Sequence, residues 1–540
     1  MDPLSLSARD LSAALRHRQV SAREVLQAHF DRIDEVNPSV NAVVTQVREH
    51  AFDQALAADD HAAATAPEDL PALHGIPMTH KDTHATAGIR TTSGSPIFAD
   101  LVPRESDLVV ERFQRAGVIS TGKNNVPEFA AGSHTYNTVF GTTLNPYDPS
   151  RSAGGSSGGA AVTLATRIQP LADGSDMGGS LRNPAAFNNV VGFRASHGVV
   201  PNAPARDPRA WLGQKGAMAR SVEDVILALS VLAGPDARVP VHCPTPAGDF
   251  AELLAESVGQ VGAGRGGTGR GGMDRDRTDR YGNVRTGGDR SRRAATPDRP
   301  LAGVRVAVTT DFGLDVPVEG EVAGVVREEA EVLADLGAIV EEACPRLREA
   351  DLVFDATRAF DMALALRDMV AGFPGQVKEE VTWNVERGLA LTAADLMDVA
   401  IARGRLDREI ARFFGAAGIT GTARNAVGGA GRDGAAGSTG AGAFDVLLAP
   451  TAQLVPFPAE WAWPREVAGM AMGSYVDWMR SATLISATGC PAISVPGGFT
   501  AAGLPVGLQL VGAPGRDVDL LRVARAYDEA TRYADRAPAI

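Results

Sequence analysis

The chain has 540 residues, 44% of them hydrophobic, and a formal net charge of −13. That apolar content can bury a large core, while the acidic balance speaks for solubility and against nucleic acid or an anionic membrane as the main partner. Cys243, Cys344 and Cys490 are odd in number and far apart, which excludes a disulfide framework, and no Cys-x-x-Cys or His-Glu-x-x-His signals a metal site.

The N-terminus is polar and acidic, and no run approaches the roughly 18 apolar residues of a membrane span, so a cytoplasmic protein is expected. Ser7-Ala8-Arg9-Asp10 and Ser21-Ala22-Arg23-Glu24 both carry the capping pattern of helix starts. The second leads into Val25, Leu26, Phe30 and Ile33, spaced for one helical face, and Asn37-Pro38 is expected to end that helix. Residues 40–47 read as extended and 51–63 as helical. A strand follows from Ile76 to Lys81, closed by a lysine, a residue rarely buried without a role or a partner. On its own Lys81 reads as a strand-end lysine reaching for water. Ser106 is expected to cap a helix through Arg115, with a strand next at Val118-Ile119-Ser120. Strand alternating with helix points to an α/β layered core.

The most informative stretch runs from Gly154 to Pro184. Gly154-Gly155-Ser156-Ser157-Gly158-Gly159 and Gly178-Gly179-Ser180 enclose a short apolar segment. Glycine permits close approach to the main chain, and serines in such turns can carry protons or act as nucleophiles. A flexible Gly/Ser linker would have the same composition, but Ala160 to Ala165 and Phe187 to Phe193 are too apolar for a solvated tether.

Lys81, Ser156 and Ser180 lie 75 and 24 residues apart. With the Gly-Ile-Pro strand before Lys81, the Gly-Gly-Ser-Ser-Gly-Gly turn and Asp176-Met177-Gly178-Gly179-Ser180, the chain resembles the amidase signature family of serine hydrolases. Ala116-Gly117 to Glu128-Phe129, Asn145-Pro146-Tyr147-Asp148 and Gly489-Cys490-Pro491-Ala492-Ile493-Ser494-Val495-Pro496 extend the likeness. The resemblance implies an α/β fold, a large mixed and mostly parallel sheet with helices on both faces, in one domain spanning 1–540. It implies Ser180 as nucleophile, Ser156 as proton relay behind a cis Gly155–Ser156 peptide, and Lys81 as base. Lys81 must then be neutral, which burial can bring about. The amides of Met177, Gly178, Gly179 and Ser180 would form the oxyanion hole, helped by a helix opening at Leu181. Ser157 is the rival to Ser156, and the 24-residue interval selects Ser156. Asp176 and Arg182 are expected to orient the glycine loop, and Lys123 to serve as scaffold. His74, His80 and His84 lack the companions a metal site needs, and Cys490 reads as a packing residue rather than a nucleophile.

Between Val261 and Pro300 stand ten Arg, ten Gly and five Asp with no Lys or Glu, a charge of +5 that leaves −18 on the rest. Residues 257–300 and 416–443 are therefore expected to be disordered insertions. Strands return at Val446 to Pro450, at Ile493-Ser494-Val495 and at Val506 to Val511, the last two paired, before a helix over residues 517–531. The implied activity is hydrolysis of a monocarboxylic acid amide, a small-molecule substrate, to the acid and ammonia or an amine through an acyl-serine. No cofactor is implied, and a homodimer is compatible with the sequence. Two alternatives stand beside it. One is the amidase subunit of a glutamine-dependent aminoacyl-tRNA amidotransferase; the other is an RNA-binding or scaffold protein with a vestigial site, using its Arg/Gly segment.

Overall fold

Eight strands form one mixed sheet in the computed structural model of the protein, which describes residues 2–256, 298–415 and 443–540. Across the sheet the order is Ile339–Glu342, Arg305–Val308, Val446–Pro450, Pro505–Gly512, Ala492–Phe499, Val191–Arg194, Gln214–Ala219 and Leu171–Asp176. The first three run parallel to one another, and every later neighbour is antiparallel. The α/β mixed sheet matches expectation; the expected predominance of parallel pairing does not hold. The connections explain why. A parallel neighbour needs a crossover, which helix Gly320–Asp335 supplies between Arg305–Val308 and Ile339–Glu342. Ala492–Phe499 and Pro505–Gly512 are instead joined by a five-residue link, and no helix separates Val191–Arg194 from Gln214–Ala219.

Alternation along the strands sends side chains to two layers of helices. Val446 and Leu448 pack with helices Val222–Leu232, Gly320–Asp335 and Asp517–Thr531. Leu447 and Ala449 pack on the opposite face with Arg182–Phe187, Ala350–Gly372 and Arg480–Ala487. Beside this sheet stands a smaller one. Ile119–Asn124 lies between Val43–Gln46, antiparallel to it, and Pro77–Lys81, parallel to it. Pro77–Lys81 packs against Leu171–Asp176, so the edge of one sheet delivers Lys81 to the edge strand of the other.

Several local signals are realised directly. Ser7 Oγ accepts from Asp10 N at the start of Ala8–Arg16, and Ser21 with Glu24 forms a reciprocal capping box on Ala22–Val40. The last helix is Asp517–Thr531, and Ile493 pairs with Leu510 in the expected hairpin. Two expectations are corrected. Helix Ala22–Val40 runs through Pro38 and stops at Asn41, which is left-handed at φ 50. Asn37 Oδ1 holds that end by accepting from Ala42 N and Val43 N. The helix Leu108–Arg115 has Asp107, not Ser106, at its N-cap, because Ser106 Oγ accepts from Ala87 N instead. Of the insertions expected at 257–300 and 416–443, all but residues 298–300 and 443 lie outside the described residues. Among the described residues no helix is long and apolar enough to cross a membrane.

Phe193 is fully buried on an interior strand of the sheet, in the layer shared with Val222–Leu232. Truncation in Phe193→Ala should destabilise by about 3–5 kcal/mol, read as a lowered midpoint of urea unfolding. An unchanged midpoint would show that the layer repacks around the cavity.

Candidate active site

Lys81 ends its strand with a fully buried side chain. Its amine lies 2.8 Å from Ser156 Oγ, 2.8 Å from Ser157 Oγ and 3.0 Å from Ser175 Oγ, donating to hydroxyls rather than to a carboxylate. Burial, reinforced by the positive charge of Lys215, brings its pKa down from 10.5 to about 7, against the opposing pull of Asp173 and Asp176. A neutral amine offers two N–H donors and one lone pair, so one of the three hydroxyls can pass it a proton.

Both nearby carboxylates are engaged elsewhere. Asp173 Oδ1 accepts from the Lys81 backbone N–H at 2.8 Å and Oδ2 faces His80 Nδ1 at 2.6 Å. Burial alone would raise the Asp173 carboxyl, but the His84 and His80 rings hold it well below the usual range. Asp176 makes a two-pronged pair with Arg182, Nε to Oδ2 and Nη2 to Oδ1, both 3.0 Å. Burial works against that carboxylate too; Arg182 and Arg194 outweigh it and keep it ionised.

The turn carrying Ser156 is pinned from outside. Thr135 Oγ1 donates to Gly154 O at 2.8 Å and Ser133 Oγ to Gly155 O at 2.5 Å, and the Gly155–Ser156 peptide is cis. Gly158, which opens helix Gly158–Ala165, leaves room for Thr135: a Cβ there would stand 2.2 Å from Thr135 Oγ1.

Ser180 is seated by its neighbour Leu181, which is fully buried in a slot on the sheet. Gly174, Gly192 and Gly216, on three adjacent strands, form that slot. An added Cβ would meet Leu181 at 2.5 Å from Gly174, 2.4 Å from Gly192 and 2.7 Å from Gly216. Ser180 itself is half-buried and so partly open to solvent. The Ser157 N–H donates to Ser180 O at 3.2 Å and ties the two serine turns together. Lys81, Ser156 and Ser157 are thus brought into contact, and Ser180 joins them through its backbone. Among the described residues the Ser180 hydroxyl makes no hydrogen bond of its own.

The expected anion pocket needs one correction. The Gly179 N–H donates to Asp176 Oδ1 at 2.8 Å and the Leu181 N–H to Oδ2 at 3.2 Å. A carboxylate thus already occupies the start of the six-residue helix Arg182–Phe187, and neither amide is free for an oxyanion. The Asp176–Arg182 pair orients the glycine loop as expected, with Arg182 reaching on to Ser486 Oγ and Gln509 Oε1. Lys123 is scaffold, its amine bonded to His84 O and Thr86 Oγ1. His74 Nε2 faces Ala58 O, and His80 lies between Asp173 and Ser120. His84 Nδ1 is 3.2 Å from Asp173 Oδ1 but off the hydrogen-bond line, so both its ring nitrogens lack a partner. Among the described residues no three such side chains converge as a metal-ligand set. Burial pushes the Cys490 thiol up to about 12, in keeping with a packing residue.

Sequence reasoning missed Asp173, Ser175 and Lys215. The first two were legible as i and i+2 positions of one strand, sharing the face that Lys81 meets. Lys215 is directly opposite Ser175 in the antiparallel ladder, so it projects from the same face. Its amine has Asp107 Oδ2 at 3.8 Å.

The family model Amidase matches residues 24–265 and 276–521. The chain is 29% identical to a subunit of the glutamyl-tRNA(Gln) amidotransferase of Thermosynechococcus vestitus and 31% identical to the corresponding subunit from Ralstonia nicotianae, in each case over 98% of both chains. It shares its fold with the crystal structure of a bacterial aryl acylamidase of the amidase signature family. There the TM-score is 0.79 at 24% identity, over 99% of this chain and 98% of that one.

Because the Lys81 ammonium gives up one proton near pH 7, its neutral form fills in as pH rises. Amide turnover should therefore climb through about pH 7 and level off above it. Lys215→Met removes the neighbouring positive charge and should move that rise to higher pH. A pH–rate profile checks both; a rise that stays in place would show that the Lys215 charge does not reach the amine.

Proposed function

The chain belongs to the amidase family, and from that premise we propose that it hydrolyses a carboxylic amide through an acyl ester on Ser180. The observation that carries this is the buried Lys81 amine, brought to about pKa 7 and held 2.8 Å from Ser156 Oγ. In the proposed sequence Lys81 takes the Ser156 proton while Ser156 takes that of Ser180. Ser180 Oγ then bonds to the amide carbonyl carbon. The proton returns along the same relay to the nitrogen, the C–N bond breaks, and ammonia or an amine leaves. Water, deprotonated by the same route, attacks the ester carbonyl and releases the acid with Ser180 restored. The carbonyl oxygen, negative in the tetrahedral intermediates, is assigned to the amides of Met177, Gly178 and Ser180, the members of the expected set that remain after Gly179 is taken by Asp176. Ser157 touches Lys81 at the same distance as Ser156, so the relay role of Ser156 rests on the family pattern.

A second reading is favoured by the curated relatives. Their naming as amidotransferase subunits and their full-length match support glutamine as the amide, with the released ammonia passed on to partner subunits. On that reading glutaminase activity depends on those partners. On the first, the chain alone hydrolyses simple amides.

Ammonia release across a panel containing glutamine and simple aliphatic and aromatic amides separates the two. Ser180→Ala should lose essentially all turnover while its thermal unfolding is unchanged, and Lys81→Met should lose nearly as much. Ser156→Ala should fall by several orders of magnitude and Ser157→Ala by less. Retained turnover in clean Ser180→Ala protein would remove Ser180 as nucleophile, and the reverse order of the last two would transfer the relay to Ser157.

A further inference from the structure

Helix Ala350–Gly372 lies over the loop that carries Ser180. A Cβ on Gly178 would stand 2.8 Å from Phe354 Cζ, and Arg358 follows one turn after Phe354. The Arg358 side chain belongs to a residue only 6% exposed. Its Nε donates to Asn384 Oδ1 at 3.2 Å, one terminal nitrogen to the Tyr475 hydroxyl at 2.7 Å and the other to Met177 Sδ at 3.3 Å. A guanidinium has five N–H donors. Here three are matched, all to uncharged acceptors, and the thioether is a weak one.

Among the described residues Arg358 makes no ion pair. Asp355 and Asp361 on the same helix attract Arg358 through space without touching it: Asp355 faces Arg387 at 3.7 Å, and Asp361 Oδ2 is buried without a hydrogen bond. Burying a permanent positive charge without a carboxylate in contact is costly. Other deeply buried arginines meet that cost visibly. Arg182 and Arg194 pair with Asp176, and Arg525 donates to Leu253 O, one of the final carbonyls of helix Ala247–Ala255. Arg358 instead touches Met177, a half-buried residue three positions before Ser180. Met177 in turn borders the strand that follows Gly213: a Cβ on Gly213 would lie 3.6 Å from Met177 Cε. Two residues further along is Lys215, whose amine has Asp107 Oδ2 at 3.8 Å.

We propose that Arg358 receives a carboxylate of the substrate, so that the amides this protein turns over bear a carboxylate a few bonds from the scissile carbonyl. Asn384 and Tyr475 hold the guanidinium plane, Met177 is the neutral placeholder that a flexible thioether can vacate, and the N–H it frees joins one already unmatched to meet the two carboxylate oxygens as a fork. The charge of Arg358 favours such anions over neutral amides. The inference rests on the amide-hydrolase reading and narrows its substrate class.

The test compares butyramide with glutaric acid monoamide, which present the same aliphatic amide without and with a terminal carboxylate. The wild-type protein should favour the monoamide in kcat/KM. In Arg358→Gln the ratio of the two constants should fall at least about tenfold, mainly through KM, because a hydrogen-bonded charge partner is lost. Arg358→Lys, which keeps the charge but not the fork, should fall between and carries the test should the Gln variant fail to fold. A wild-type protein that hydrolyses butyramide without preferring the monoamide overturns this proposal while leaving the amidase reading intact. So does an unmoved ratio with both constants falling together, the mark of a purely structural arginine. Failure of the wild-type protein to release ammonia from either amide would count against both.

Discussion

An amine buried among three hydroxyls with no carboxylate in contact is the constraint around which this site is built. Removing Lys81 from water disfavours its charged form, and only an ion pair would restore it. Asp173 and Asp176 could in principle supply one. The first is occupied by the Lys81 backbone N–H and by His80, the second by Arg182 and the Gly179 and Leu181 amides. Each carboxylate therefore fixes a piece of backbone next to the chemistry while leaving the amine unpaired. Placing Lys215 across the ladder from Ser175 pushes in the same direction.

Holding that amine against the serines requires two sheets to meet without a gap. Lys81 comes from the small sheet and Ser175 from the edge strand of the large one, and the two turns bearing Ser156 and Ser180 lie between them. Glycine does structural duty here by absence. Leu181 can sink onto the sheet only because Gly174, Gly192 and Gly216 present no side chain beneath it. Any side chain at one of those positions would lift Leu181 and, with it, the adjoining Ser180. The glycine richness of the loops and of the strands is thus one device, serving a close approach rather than flexibility.

Much of this was legible in the sequence, for a physical reason. Backbone geometry at Gly154 to Ser157 and at Gly178 to Ser180 demands particular residue types. Lys81 stands out because a lysine is seldom kept at the end of a buried strand unless a role or a partner holds it there. Helix caps such as Ser21 with Glu24 are equally local and were readable. What escaped depends on pairing across space. The predominance of antiparallel neighbours comes from which strands are joined without a helix, as between Arg194 and Gln214, and no local pattern announces that. The engagement of Gly179 by Asp176 likewise needs the fold of the loop, since composition shows only that amides are available. Lys215 and Arg358 carry no motif, and their meaning comes from what faces them.

The residues proposed to do the chemistry and those proposed to face the substrate come from different parts of the chain, and this bears on how far family likeness reaches. Lys81, Ser156 and Ser180 lie within the first 180 residues, whereas Phe354, Arg358, Asn384 and Tyr475 close over them from helices Ala350–Gly372 and Glu379–Ala390 and the segment before Arg480–Ala487. A base, a relay and a nucleophile act on the amide group alone, so they are indifferent to what the acyl part carries. Residues of the covering helices, proposed to meet the rest of the molecule, can change without disturbing proton transfer. Identity of about 30% along the whole length therefore goes with a shared family and says little of a shared amide. Substrate choice in this protein is to be sought on the covering helices, where a guanidinium stands buried with only neutral groups in contact.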